Sequence, residues 1–477
     1  MFFPWPPISS SLAEWLAAAL HVLLAGIVTV DVLLKKSDVR GALGWIGAAW
    51  MSPVIGSLLY YMFGINRVTR RSLRLPRQDG EEAPLPSSVL QFEPPNVDLL
   101  ARTGGAISAR PLVAGNGVVI LQGGDKAYPA MLAAIEGARR SVALTSYIFR
   151  NDAAGHAFSD ALAGARKRGV EVRVLLDGVG IGYVFPRILY RLRAAGVPTA
   201  RFLHTLLPWR MPFLNMRNHR KLLVIDGATA FMGGMNVGAE YSADLDPEDH
   251  IDDTHFRIRG PAVRFAMDAF ARDWTFTTGE TLDGDCWWPD IAPAGPVCAR
   301  GLRSGPDTDI YRIEMILGAA LTLAKRRVRI VTPYFLPDQR LQFAIAQACL
   351  RGVEVEIVIP AHCDFIFLDW AMRAHLRFFG NISAHVYATP APFDHSKLVT
   401  MDGAWCLIGS SNWDTRSFRL NFEFDMECYD DTLTKEIDAI IDAKIGRAAK
   451  LSPDALRTDP LAARLRDAAA RLLAPYL

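Results

Sequence analysis

At 477 residues the chain is long enough for two or three domains, and 52 Lys plus Arg against 50 Asp plus Glu leave a net charge of only +2. That balance argues against the broad basic surface of a nuclease or other nucleic-acid-binding chain, while 51% hydrophobic residues is high for a protein that lives wholly in water. Six Cys without a C-x-x-C pair give neither zinc spacing nor a disulfide framework, in keeping with a reducing compartment.

The apolar surplus lies at the start. From Gly41 to Gly64 the sequence "GALGWIGAAWMSPVIGSLLYYMFG" has no charged residue. Its 24 residues suffice to cross a hydrocarbon core of roughly 30 Å, and a membrane helix tolerates Pro53. The earlier run Trp15 to Val30 is uncharged and shorter, with His21 inside it and Glu14 and Asp31 at its edges. We expect a hairpin of two transmembrane helices and no cleaved signal peptide, there being no basic stretch before the first run. Arg67, Arg70, Arg71, Arg74 and Arg77 follow the second span, against Lys35, Lys36 and Arg40 in the intervening loop. The positive-inside rule then favours a cytoplasmic C-terminal part, and the Arg run suits anionic headgroups. Residues 76–98 are rich in Pro, Ser and acid and read as a linker. These features divide the chain into a membrane anchor over 1–66 and a basic segment with linker over 67–105.

The remainder repeats itself. "ARRSVALTSYIF" (138–149) is matched by "AKRRVRIVTPYF" (324–335), and "ALAGARKRGVEVRVLLDG" (161–178) by "AIAQACLRGVEVEIVIPA" (344–361). Each reads as a helix ending at Gly169 or Gly352 before a buried strand. Two α/β units are expected, over 106–298 and 299–477.

Each unit then carries the same sparse motif, "NHRKLLVID" at 218–226 and "DHSKLVTMD" at 394–402, both His-x-Lys-x4-Asp. Only 10 of the 52 basic residues are Lys, so Lys at both motifs points to a chemical requirement. Apolar runs around Asp-Gly predict a hairpin in each case. His219 and Lys221 are two apart and share a face, as do His395 and Lys397. Asp226 and Asp402 complete the motifs and are grouped with the catalytic residues. Their odd spacing from the His nevertheless favours a turn-forming or structural ion-pairing part. Asn236 in "GGMN" and Asn412 in "GSSN" could offer amide donors beside the pair.

Imidazole can attack phosphorus and can move a proton near neutrality. Two His allow one to form a phospho-histidine while the other protonates the leaving alkoxide. Two Lys and two Asn can hold the non-bridging oxygens. This chemistry needs no metal and no cofactor.

At these residues the sequence resembles the phospholipase D superfamily and, within it, the bacterial cardiolipin synthases. The likeness runs over nearly the whole chain, through "SPVIGSLLYYMFGINR", "SYIFRNDAAG", "RNHRKLLVIDG", "GGMNVGAEY", "DDTHFRIRGPAV", "TPYFLPD", "DHSKLVTMDG", "GSSNWDTRSFRLNFE" and "LLAPYL". The resemblance implies an α/β fold of two fused phospholipase D-type sandwich domains with pseudo-twofold symmetry, preceded by transmembrane helices. It implies transfer of a phosphatidyl group between two phosphatidylglycerol molecules, giving cardiolipin and glycerol, in the bacterial inner membrane. Another phospholipase D-type phosphatidyltransferase or a phospholipid hydrolase is the alternative. It also implies that a downstream carboxylate steadies each His, for which Asp253 is assigned to His219 and Glu423 to His395. By the same resemblance His219 is favoured as the nucleophile.

Overall fold

The computed structural model describes residues 12–36, 39–64, 91–182, 184–204, 216–246, 249–306, 309–379, 384–452 and 459–473. The Arg67–Arg77 run and most of the Pro-rich linker lie outside them. The described helices before residue 65 form one unit and the described residues from 91 onward another.

In the N-terminal unit, α1 (Leu12–Lys35) is 24 residues long, about 36 Å at the helical rise. Among the described residues it alone is both long and apolar enough to cross a membrane. The second expected span does not form as one helix. It breaks into α2 (Val39–Met51) and α3 (Pro53–Leu59), the latter running into a π turn over Tyr60–Gly64. Pro53 has no N–H and its ring clashes with a helix continuing through it, so Ser52 leaves helical geometry at φ −144°, ψ 84°. At 13 residues α2 is about 20 Å long, short of the hydrocarbon thickness.

The second unit is α/β. Its first half contributes β1 (Val113–Gln122), β2 (Ser141–Ser146), β3 (Glu171–Asp177), β4 (Thr199–Phe202), β5 (Leu222–Ile225), β6 (Thr229–Gly233) and β7 (Thr254–Arg259). The second half contributes β8 (Val297–Ser304), β9 (Arg327–Val331), β10 (Glu354–Pro360), β11 (His385–Thr389), β12 (Leu398–Met401), β13 (Trp405–Gly409) and β14 (Asn421–Tyr429). One sheet runs β4-β3-β2-β5-β6-β7-β1-β8-β14-β13-β12-β9-β10-β11. From the central β1–β8 pair outward, each half therefore meets its strands in the same chain order. The outer three of each half are parallel and the rest antiparallel.

Helices Ala153–Lys167 and Gln339–Leu350 end where the sequence predicts, with Gly169 at φ 88° and Gly352 at φ 84° supplying the left-handed residue after each. One core gathers Leu144, Phe158, Val174 and Phe231 of the first half, another Ile316, Ile330, Ile357 and Trp405 of the second. Part of the expected linker is structured. Helix Pro95–Ser108 buries Val97 and Leu100 in the second core, far along the chain from its partners, because its apolar side fits the helix Arg312–Leu323. The C-terminal helix Leu461–Leu473 docks on Ile366–Phe379, where Asp467 takes Arg377 at 2.6 Å.

Candidate active site

Each motif ends in the predicted hairpin turn, with Asp226 and Gly227 at φ 52° and 64° and Asp402 and Gly403 at φ 53° and 76°. Asp226 accepts the backbone N–H groups of Arg139, Arg140 and Ser141 at 2.7–3.1 Å. Asp402 accepts those of Lys325, Arg326 and Arg327 at 2.9 Å, and Asn96 Nδ2 at 2.8 Å. Both carboxylates are thus spent on the start of the neighbouring strand. They fasten β5 to β2 and β12 to β9, the structural part that their odd spacing from the His favours.

His219 and Lys221 lie in the extended segment leading into β5, and His395 and Lys397 in the one leading into β12. Just before each His the chain makes a two-residue parallel ladder with the opposite half. Arg217–Asn218 pairs with Asn421–Phe422, and Phe393–Asp394 with Ile251–Asp252. His219 N donates to Phe422 O at 2.9 Å, and His395 N to Asp252 O at 2.7 Å. The next residue on each partner strand is a carboxylate. Glu423 therefore receives His219 Nδ1 at 2.9 and 3.0 Å, and Asp253 receives His395 Nδ1 at 2.9 Å. The sequence assignment within each repeat is overturned: each half supplies the carboxylate for the other half's His.

All six groups are buried, the imidazoles retaining 8% and 7% exposure. Lys221 Nζ donates to His219 O at 2.8 Å and sits 5.5 Å from the Tyr147 ring centroid. Lys397 Nζ lies 2.8 Å from His395 Nδ1. Tyr147 lies against His219, and Tyr241 and Tyr334 against His395, with centroids 5.1, 6.2 and 6.4 Å apart.

Burial dominates the electrostatics. It pushes both imidazoles well below their usual range, helped by the two lysines, so the rings are neutral before any anion binds. It brings Lys221 down to about 7 and Lys397 to about 8, and lifts Asp253 and Glu423 to about 7. Four groups thus titrate close to neutrality around two imidazoles.

The asparagines are less direct than expected. Asn236 Oδ1 accepts Ile148 N at 3.1 Å and its Nδ2 donates to Tyr241 Oη at 2.9 Å, so it steadies the tyrosine beside His395. Asn412 Oδ1 is buried with no donor among the described residues. Sequence reasoning passed over the residues that seat the crossing ladders. Asn218 donates to Asp273 at 2.9 Å and its backbone N–H to Asp177 at 2.8 Å. Asp394 receives Lys444 Nζ at 2.5 Å. Ser410 Oγ and Asn421 Nδ2 donate to Glu423 at 2.6 and 3.1 Å. The polar residue directly before each motif His was the available signal for Asn218 and Asp394.

Two imidazoles tied at Nδ1 to buried carboxylates present Nε2 for attack on phosphorus and for proton transfer, with two lysines at hand for a phosphate's charge. The family described as "Cardiolipin synthase, PLD-like domain" matches residues 131–274 and 317–445. The chain is 32% identical to the major cardiolipin synthase ClsA of Bacillus subtilis, over 98% of this chain and 99% of that one. It is 30% identical to cardiolipin synthase A of Pseudomonas aeruginosa, over 95% and 94%. Among solved structures, a phosphatidylserine synthase of Haemophilus influenzae shares the fold, with TM-score 0.63 at 16% identity, covering 80% of this chain and all of that one.

Proposed function

The chain belongs to the phospholipase D-like cardiolipin synthase family, and from that premise we propose that it moves a phosphatidyl group from one phosphatidylglycerol to the terminal hydroxyl of another, releasing glycerol and forming cardiolipin. The observation that carries the reading is the pair of imidazole–carboxylate contacts completed between halves. In this reading the repeated strand order reflects a pseudo-twofold axis with one shared site, the halves meeting near 298/299. The enzyme acts at the bacterial inner membrane from the cytoplasmic side.

We place the attack on His219, in line with the family resemblance and with the firm seat of Glu423 between Ser410 and Asn421. His219 Nε2 forms the P–N bond as the P–O bond to glycerol breaks, and Nδ1–H stays on Glu423. His395 Nε2 gives its proton to the leaving oxygen, its Nδ1–H held by Asp253. Burial, helped by the two lysines, holds His395 neutral in the free site; the negative charge of a bound phosphodiester opposes both and favours the protonated ring, so substrate binding loads the acid. The second phosphatidylglycerol then yields its hydroxyl proton to His395 and attacks phosphorus, breaking the P–N bond. Lys221 and Lys397 hold the non-bridging oxygens.

Water at about 55 M competes for the intermediate, so transfer depends on a held acceptor, and positioning supplies effective molarities of about 10⁵–10⁸ M. The test is product ratio from labelled phosphatidylglycerol in bilayers. Cardiolipin plus glycerol is expected, and added glycerol should return cardiolipin to phosphatidylglycerol. Predominant phosphatidic acid without reversal means a hydrolase. Peptide mapping of the trapped phosphatidyl adduct identifies the nucleophile.

A further inference from the structure

The uncharged run 41–64 is long enough to cross a bilayer, yet the chain reverses within it. We propose that α1 alone crosses the membrane, and that α2 and α3 form a re-entrant hairpin that enters and leaves the bilayer on the side of the α/β unit. The proposal concerns the anchor and does not rest on which lipid the enzyme transfers.

The reversal is visible in two contacts. A Cβ on Gly56 would fall 2.2 Å from Ala48 O. In a continuous helix those residues stand about 12 Å apart along the axis. The Trp45 and Tyr60 rings meet with centroids 5.5 Å apart, where a straight helix would separate them by about 22 Å. Only glycine at 56 lets the returning arm come so close.

Both arms pack on α1. Trp50 Nε1 donates to Thr29 Oγ1 at 3.1 Å and Tyr60 Oη to Asp31 at 2.8 Å, around a small core of Ala25, Val28, Val32 and Ala49. The turn is built for hydrocarbon. Met51, Val54 and Ile55 are 89%, 62% and 61% exposed, and no charge lies near them in sequence. A turn in water would expose the same apolar tip at a cost of about 25 cal/mol per Å². The backbone at the break is largely satisfied, since Ser52 N donates to Ala48 O at 3.0 Å, Gly56 N to Ser52 O at 2.6 Å, and Pro53 has no N–H to leave unpaired.

Charge fixes the sides. Two full crossings divide the basic residues five against three across the membrane. A single crossing with a re-entrant hairpin puts Lys35, Lys36, Arg40 and the five Arg of 67–77 together, eight against none, which the positive-inside rule assigns to the cytoplasm. Along α1, Glu14 and Asp31 are about 26 Å apart, close to the hydrocarbon thickness, and Asp31 is paired with Lys35 at the basic end.

The test uses full-length protein in cells, with Glu14→Cys and Lys36→Cys made separately and a membrane-impermeant maleimide located by peptide mass. Native Cys286 reports the side of the α/β unit. We expect Glu14→Cys to be modified in intact cells, and Lys36→Cys and Cys286 only after permeabilisation. Modification of Lys36→Cys in intact cells, with Cys286 protected, means two full crossings and overturns the proposal. Protection of all three until permeabilisation means α1 does not cross, and overturns it equally. Labelling needs no lipid product, so it stands apart from the assay of transfer.

Discussion

Exchanging Glu423 for Gln tests the crossed pairing with the least change of shape. The side chain is fully buried, takes His219 Nδ1 at 2.9 and 3.0 Å, and is held by Ser410 and Asn421. Gln can keep an oxygen toward Asn421 and Nδ1–H, and turn its amide toward the Ser410 hydroxyl, which can accept. What disappears is the negative charge. Hydrogen bonds to charged groups contribute about 1.5–3 kcal/mol against about 0.5–1.5 for neutral ones, so the variant loses about 1–2 kcal/mol wherever His219 is positive. At 1.4 kcal/mol per decade this slows formation of the phosphatidyl-enzyme by about 5–30-fold. Should the amide nitrogen face Nδ1 instead, the ring takes the wrong tautomer and the loss grows toward about 10⁴-fold, as in an Asp→Asn serine protease triad.

The rate alone does not reveal which imidazole was touched. ¹⁵N-labelled histidine does. Each Nδ1–H resonance is identified by its loss in His219→Gln or His395→Gln. Glu423→Gln should move the His219 signal and leave that of His395, and Asp253→Asn should do the reverse. A Glu423→Gln variant that shifts His395 alone, or turns over at the wild-type rate, refutes the crossed arrangement.

Three further outcomes follow from the same geometry. Asp402→Asn keeps a residue that tolerates positive φ but replaces one of the two oxygens that share three backbone N–H groups and Asn96 with an NH2 donor, so it should cost about 1–3 kcal/mol in thermal unfolding while the folded fraction keeps its kcat; loss of kcat at full stability would return Asp402 to the chemistry. With carboxylates near 7 and lysines near 7 and 8 before substrate binds, kcat/KM should follow a narrow bell between about pH 7 and 8. Its acid limb comes as Asp253 and Glu423 take protons and its alkaline limb as the lysines lose theirs, so a profile flat through neutrality contradicts those roles. Lys444→Met strands buried Asp394 and should cost about 3–5 kcal/mol, much of it regained when Asp394→Asn is added, as calorimetry of the single and double variants would show.

The α/β alternation, the two glycine-ended helices, the Asp-Gly hairpins and both His-x-Lys pairs were legible in sequence because each is a local pattern: a period, a turn dipeptide or a spacing of two. The carboxylate pairing was not, although Asp253 and Glu423 were both singled out. Nearness along the chain suggested partners within a repeat, whereas partnership is set by ladders of two residues each, too short to leave a periodic signature. Hydropathy failed in the same way at 41–64: it counts apolar residues and is blind to a reversal made by Pro53 and closed by the bare Cα of Gly56.

The crossing bears on why the motif occurs twice in one chain. If each His drew its carboxylate from its own repeat, each half could hold a complete imidazole–carboxylate pair and the halves could drift in relative position. With Phe422 and Asp252 carbonyls fixing the two His backbones, and Glu423 and Asp253 fixing the two rings, four cross-half hydrogen bonds set the distance between the imidazoles. An in-line transfer needs its attacking and proton-donating nitrogens on opposite sides of one phosphorus, and a misplacement of about 1 Å costs about 10²-fold. The exchange of carboxylates thus ties the geometry of the reaction to the same contacts that hold the halves together.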